Sequence, residues 1–319
     1  MVVSGGVSLT MRVFVDCDPG IDDAVALAYL AARPEVEIVG VGAVFGNNSV
    51  DITADNALRL LELYGRPDVP VAVGAARPLV QEPRLAAHVH GGNGLGDVEL
   101  PVPAGKPVAE SAAELLVRLV REAPGEIDVL AVGPLTNLAI ALGLEPRLPQ
   151  LVRRLVVMGG AVRVAGNVSS HAEANISNDP EAAEAVFAAG FALDLVALDI
   201  TMKTVATPEW LSDLRSVPGE RAERTSAFLD FYAEFYKGIF GVRQCAMHDP
   251  LAAAVLVDPH LVTESFEAPL RVELSGGLTR GMTVADLRPS PSRDDRRAAR
   301  VVTGVEEAEF LGRMLDSLR

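Results

Sequence analysis

Cysteine, aromatic side chains and positive charge are all in short supply in this sequence. Its 319 residues include two cysteines, Cys17 and Cys245, far apart and outside any CxxC or Cys/His cluster. That excludes a disulfide framework and a structural zinc site, and both residues read as buried free thiols. Lys and Arg number 28 against 43 Asp and Glu, a formal net charge of −15. Phosphate contacts require a basic surface, so this balance excludes a nucleic-acid partner and disfavours attachment to an anionic membrane. Long hydrophobic runs are missing too. The most apolar stretch, Ala185 to Leu193, is about half the length of a membrane-spanning helix. Residues 1–10 have neither a basic start nor a sustained apolar run, so they do not read as a signal peptide. The expectation is a cytoplasmic protein that begins with a flexible extension over 1–10.

Apolar residues nevertheless make up 49% of the chain, too many for disorder. The length suits one large α/β domain or two ordinary ones, and the lack of a clear linker favours one domain over 11–319. Short β-branched runs at 11–17, 36–46, 69–74, 127–133, 154–160 and 192–200 predict strands. Segments with helical spacing at 22–32, 50–64, 108–122, 136–144 and 181–190 lie between them. This alternation predicts a mostly parallel sheet flanked by helices, with right-handed crossovers. Two long interruptions, 78–107 and 161–180, read as functional loops. Beyond 205 the pattern turns helical, notably at 220–240. Strands and turns follow over 270–287, then a polar turn over 290–300 and an amphipathic helix over 304–318.

The segment VDCDPGIDDA (15–24) is the most informative. Asp16 and Asp18 close a strand two residues apart, so both can point toward the carboxyl edge of the sheet, where ligands bind in this architecture. Asp22 and Asp23 open the following helix, whose dipole favours carboxylates. With no Lys or Arg among them, these four groups would repel one another unless a hard cation intervened. Oxygen ligands alone suit Ca²⁺ or Mg²⁺. The alternative is that Asp22 or Asp23 merely caps the helix. The spacing does not fit an EF-hand. A D-x-D after a first strand also opens haloacid-dehalogenase-like phosphatases, but those continue with Gly-Thr.

DCDPGIDDA resembles the signature of the nucleoside hydrolases, the inosine–uridine-preferring nucleoside N-ribohydrolases. VFGN (44–47), HVHGGNGLG (88–96), GPLTN (133–137), VMGG (157–160), GNVSSHAEANISNDPEAA (166–183), MHDP (247–250) and GMTVADLR (281–288) resemble later blocks of that family, in order. The resemblance implies a Rossmann-like open α/β fold and Ca²⁺-dependent hydrolysis of the N-glycosidic bond of ribonucleosides. It assigns Asp18 as metal ligand and general base for the attacking water. Asp23 and Asp249 become further ligands, Asp16 lies in or beside the metal shell, and Val132 supplies a main-chain carbonyl. Asp22, Asn167, Glu173 and Asn175 are assigned to the ribose, with Met158 beside it and Asn47 near the water. His248 is assigned to protonating the leaving base and His90 to the base pocket. Tyr232 and Tyr236, four apart on one helix, share a face that stacking on a base would use.

Local alternatives stand beside these assignments. Asp249-Pro250 also makes a good helix start with Asp as N-cap. Tyr232 and Tyr236 also suit core packing, Asn167, Glu173 and Asn175 an ordinary loop, and Asp179 a helix cap. The family further implies a homodimer or homotetramer. A metal-dependent phosphatase and a non-catalytic nucleoside- or ribose-binding protein are the competing functions.

Overall fold

The computed structural model describes residues 10–288 and 295–319. The expected extension over 1–10 therefore lies almost wholly outside the described residues, as does the start of the polar turn over 290–300. In chain order the first half runs β1 (Met11–Cys17), α1 (Ile21–Ala31), β2 (Val36–Ala43), α2 (Val50–Leu63), β3 (Val71–Val73), α3 (Ala87–His90), α4 (Ala112–Glu122), β4 (Ile127–Ala131), α5 (Thr136–Leu144), α6 (Leu148–Leu151) and β5 (Val152–Met158). There follow α7 (Ala174–Asn178), α8 (Pro180–Ala188), β6 (Leu193–Val196), α9 (Leu198–Thr201), β7 (Val205–Ala206), α10 (Pro208–Arg215) and α11 (Glu220–Phe240). The chain ends with β8 (Cys245–Ala246), α12 (His248–Val257), β9 (Val262–Ala268), β10 (Leu270–Val272), β11 (Thr283–Ala285), β12 (Ala299–Val305) and α13 (Glu307–Ser317).

The central sheet has eight strands in the order β3-β2-β1-β4-β5-β6-β12-β9. Every neighbouring pair is parallel except β12 and β9. The chain moves outward from β1 through β2 to β3, then returns to β4 on the other side of β1. Strand order thus reverses between β1 and β4, and a crevice opens at their carboxyl ends. Two apolar layers cover the sheet. One contains α1 and α12, and the other α4, α5 and α8. All eleven residues of α1 are buried, which suits its Ala-rich sequence because small side chains let α12 and the sheet approach on both sides.

Two segments differ from the sequence reading. The run 192–200 is not one strand. It ends at Val196, and Leu198–Thr201 forms the helical turn α9. That turn lets the Asp199 carboxylate accept the backbone N–H groups of Val162 and Arg163, both at 2.9 Å. The strand β12 was hidden in what reads as a polar turn and the start of the last helix. Its Arg300 pairs with Asp194 of β6 at 2.5 and 2.9 Å, so a charged residue sits within the sheet and masks the apolar pattern.

Leu130 lies fully buried in the middle of β4. Leu130→Ala leaves a cavity between the layers and is expected to cost about 2–5 kcal/mol. Urea denaturation should show a matching fall in midpoint at an unchanged slope.

Candidate active site

The carboxyl ends of β1, β4 and β5 meet the loops that follow them in an open cavity of about 160 Å³. Parallel register brings Asp16 of β1 beside Ala131 of β4, so Val132 and the Asp16–Asp18 turn share one edge. Asp22, Asn47, His90, Val132, Met158, Asn167, Glu173, Asn175, Tyr232, Tyr236, His248 and Asp249 all line the cavity. Asp16, Asp18 and Asp23 lie beneath its floor, each at most 1% exposed. Residues spread from 16 to 249 are therefore gathered at one place.

Each carboxylate has a distinct set of partners. Asp16 Oδ1 accepts the Asn137 amide at 2.7 Å. Asp18 Oδ2 accepts the Asn47 backbone N–H at 2.6 Å. Asp23 accepts the Asp18 N–H at 3.2 Å, the Gly20 N–H at 2.9 Å and the Asn47 side-chain amide at 3.0 Å. Asp22 Oδ2 accepts the Tyr232 hydroxyl at 3.2 Å. Three oxygens remain buried with no partner: Asp16 Oδ2, Asp18 Oδ1 and Asp22 Oδ1. Ligand oxygens of Asp22, Asp23 and Asp249 lie within 4.8 Å of one another. Asp22, expected on the ribose side, is thus also close enough to share a cation with Asp23 and Asp249.

Helix capping is a partial role here. Gly20 is the N-cap of α1, and Asp23 at the third helical position accepts its N–H. The N-cap of α12 is Met247, with no side-chain cap bond, so Asp249 sits inside the first turn and its capping alternative does not hold. Asp179 does cap α8, accepting the Ala182 N–H at 3.1 Å.

Glycines make room for Asp18. A Cβ on Gly46 would lie 2.0 Å from Asp18 Oδ2, and one on Gly133 would lie 2.8 Å from Oδ1. Both glycines belong to sequence blocks noted above, VFGN and GPLTN.

Burial controls the electrostatics. It pushes Asp16 up to about 7, against the Asn137 hydrogen bond. It pushes Asp23 up to about 7, with the Asp22 charge adding to the shift. Asp18 and Asp249 are raised well above the ordinary carboxylate range, by burial first and then by neighbouring carboxylates. This is the signature of negative charges collected without a counter-charge. Unpartnered carboxylate oxygens, mutual repulsion and oxygen-only chemistry fit a hard divalent metal ion.

The ribose-side residues form a second group. Glu173 caps α7 and accepts the N–H groups of Gly160, Asn175 and Ile176 at 2.9, 2.9 and 3.1 Å. The Asn175 amide donates to the Val132 carbonyl at 3.0 Å and to that of Met158 at 3.2 Å. Asn167 is exposed at the rim and accepts the Ala174 N–H at 3.0 Å.

The third group is aromatic. The His90 Nδ1 accepts the Ile21 N–H at 3.1 Å, so its ring proton is on Nε2, and burial pushes its pKa down to about 3. Tyr232 packs on His90 with centroids 5.4 Å apart and meets Tyr236 edge-on at 4.8 Å. Phe240 stacks on Tyr236 at 5.4 Å. His248 is held at both nitrogens, Nε2 by the Tyr236 hydroxyl at 2.6 Å and Nδ1 by the Thr201 hydroxyl at 2.7 Å. Burial lowers its pKa, and the charge of Asp22 opposes that.

The family model described as inosine-uridine preferring nucleoside hydrolase matches residues 13–312. The chain belongs to the nucleoside hydrolase family. A probable uridine nucleosidase 1 from Oryza sativa subsp. japonica is 42% identical over 276 residues, covering 86% of this chain and 85% of that protein. The inosine-uridine preferring nucleoside hydrolase of Crithidia fasciculata is 37% identical over 309 residues, covering 96% and 97%. A solved plant nucleoside hydrolase superposes with a TM-score of 0.92 at 33% identity, covering 97% of this chain and 99% of that one. The chain is accordingly an enzyme, a nucleoside hydrolase. Among the described residues no helix is long and apolar enough to cross a membrane.

Several site residues carried no role in the sequence reading. Asn137 lay within GPLTN without one. Phe235, Met202 and Ile239 line the cavity but look like ordinary helix residues in sequence. Thr201 lies just past the run that reads as a strand, 192–200.

The raised carboxylates give a signed expectation. A folded-state pKa near 7 against an ordinary 3.8 means that Asp16 and Asp23 favour the fold fully below about pH 4 and lose that contribution as pH rises through 7. A cation that binds the ionised cluster removes this penalty. The melting temperature gained on adding Ca²⁺ or Mg²⁺ to chelator-treated protein should therefore be larger at pH 8 than at pH 5. An equal gain at both would contradict a cation bound at these carboxylates.

Proposed function

We propose that this nucleoside hydrolase uses Ca²⁺ to hydrolyse the N-glycosidic bond of ribonucleosides, uridine and inosine among them, giving ribose and a free base. The observation that carries this reading is a cavity with unpartnered carboxylates at its floor and a hydrogen-bonded Tyr236–His248 pair in its wall. Water activation belongs at the first and leaving-group protonation at the second, and a glycosyl hydrolase needs both. Names of relatives at 42% and 37% identity include uridine and inosine, which supports the choice of substrates.

Asp18, Asp23, Asp249 and the Val132 carbonyl would hold the ion, with Asp16 and Asp22 beside them. The Val132 oxygen accepts Asn175 on one lone pair, and a carbonyl has a second. When bound, Ca²⁺ supplies positive charge that polarises a water and orients a ribose diol. Asp18 Oδ1 takes the proton of the water as its oxygen attacks the anomeric carbon. Because burial raises Asp18, this base is ionised at neutral pH only when the local negative charge is offset. Asp22, Asn167, Glu173 and Asn175 hold ribose hydroxyls, with Asn47 near the water and Met158 beneath the sugar. His90 and Tyr232 face the base.

As the C–N bond breaks, its electron pair passes to the base, which needs a proton. His248 Nε2 and the Tyr236 hydroxyl share a hydrogen bond of 2.6 Å, so a proton from His248 would reach the base through Tyr236. The ring is thus one atom group further from the base than direct protonation by His248 would require.

A phosphatase is disfavoured because no Lys or Arg among the described residues lines the cavity to hold a phosphate. Residues 11–319 are read as one domain, and the family resemblance supports a cytoplasmic homodimer or homotetramer.

A panel of purine and pyrimidine ribonucleosides should be hydrolysed by the Ca²⁺-loaded protein and not after chelation. Asp18→Ala should lower kcat by about 10²–10⁴-fold while the far-UV spectrum is retained. Nucleoside binding without turnover in the wild type would instead support a binding protein. His248→Ala should slow inosine far more than a 4-nitrophenyl riboside, whose leaving group needs no proton. Equal losses on the two substrates would refute its role as acid.

A further inference from the structure

The contact on the far side of His248 is not used by any step above. His248 Nδ1 meets the Thr201 hydroxyl at 2.7 Å, and Thr201 is fully buried. A threonine in a helical turn ordinarily turns its hydroxyl back to the carbonyl four residues earlier. Thr204 does so, donating to the Ile200 carbonyl at 3.3 Å. Thr201 differs, and its hydroxyl bond runs across the fold to α12.

The scaffold around this contact fixes its length. Thr201 ends α9, and His248 begins α12. Between them, β7 and β8 pair as Val205↔Ala246 and Ala206↔Cys245. The Met247 N–H then donates to the Thr204 carbonyl at 3.0 Å. These backbone bonds set α9 and α12 at one spacing, with His248 between Thr201 on one side and Tyr236 on the other.

We propose that Thr201 is a positioning residue for leaving-group protonation, its hydroxyl accepting the His248 Nδ1–H so that Nε2 is the nitrogen presented to Tyr236. This rests on the nucleoside hydrolase reading. Passing a proton on requires the doubly protonated ring: with one proton fixed at Nδ1 on the Thr201 oxygen, the mobile one is on Nε2, and its departure leaves the neutral Nδ1–H ring. That proton moves to the Tyr236 oxygen as the Tyr236 proton moves to the departing base. Without Thr201 the buried Nδ1–H has no acceptor, and the ring is free to turn from Tyr236.

Thr201→Val keeps the shape and removes the hydroxyl. It is expected to lower kcat on inosine and uridine by about 10–100-fold, within the range of acid catalysis, with KM little changed. The rate on 4-nitrophenyl riboside should stay within about 2-fold, and Thr201→Ser should restore nucleoside turnover. Equal losses on nucleosides and the nitrophenyl riboside would show a merely structural role and overturn the proposal. So would an unchanged nucleoside rate. Wild-type protein inactive on every nucleoside would instead overturn the underlying reading. A measurement on the wild type needs no variant: the ¹⁵N shifts of His248 should show a protonated, hydrogen-bonded Nδ1. An unprotonated Nδ1 would sink the proposal.

Discussion

The repulsion among buried carboxylates at the end of β1 is the constraint on which the site depends. Asp16, Asp18, Asp22, Asp23 and Asp249 are all nearly or wholly buried, and burying an isolated charge is costly. Amide donors from Asn137 and Asn47 and backbone N–H groups offset part of this cost. The remainder is visible as three carboxylate oxygens with no partner and as pKa values driven upward. The fold supplies donors for part of the cluster and leaves Asp16 Oδ2, Asp18 Oδ1 and Asp22 Oδ1 buried without one. A protein needing only stability would gain by replacing such a group with well-packed apolar residues.

That constraint explains why small residues cluster around the carboxylates. Gly46 and Gly133 flank Asp18 so closely that any Cβ would displace it. Gly20 sits against Asn47 and His90, where a Cβ would lie 2.6 Å from each. These glycines are there because neighbouring backbone must approach the acid residues, and only then can backbone N–H groups reach the carboxylate oxygens. The same close approach puts Asn47 between Asp18 and Asp23, so a single residue ties the proposed base to a proposed cation ligand.

How far the sequence discloses this depends on the range of each interaction. The β-α alternation, the parallel sheet and the helix 136–144 are legible because each is written in a local period. The acidic segment is legible because four like charges in one turn are rare without a purpose. Strand β12 is not, since its apolar positions are interrupted by an arginine that makes sense only beside Asp194. The α9 turn is missed because an apolar run says nothing of the Asp199 contacts that bend it. Asp249 is ambiguous alone, as a helix start or a ligand; in the fold Met247 takes the N-cap position and Asp249 lies close to Asp22 and Asp23. Thr201 and Phe235 have no local signal at all, because their contacts, to His248 and to the cavity, are made only in the folded chain.

Burial acts oppositely on the two walls of the cavity, and this divides the chemistry. On the floor it raises the carboxylates, so a base there depends on a neighbouring cation to become ionised. On the aromatic side it lowers His90 and His248 and raises the hydroxyls of Tyr232 and Tyr236. Those tyrosines therefore keep their protons at neutral pH, as a group that must give a proton to a base should. In the proposed relay, a proton held between His248 and Tyr236 would not have to be drawn from bulk water at the moment of bond cleavage. Asp22 stands between the walls: it accepts Tyr232, its charge favours the protonated ring of His248, and it lies within ligand distance of Asp23 and Asp249. Through that one carboxylate, a cation on the floor would change the field at the proposed acid above it, coupling the two halves of the proposed reaction electrostatically.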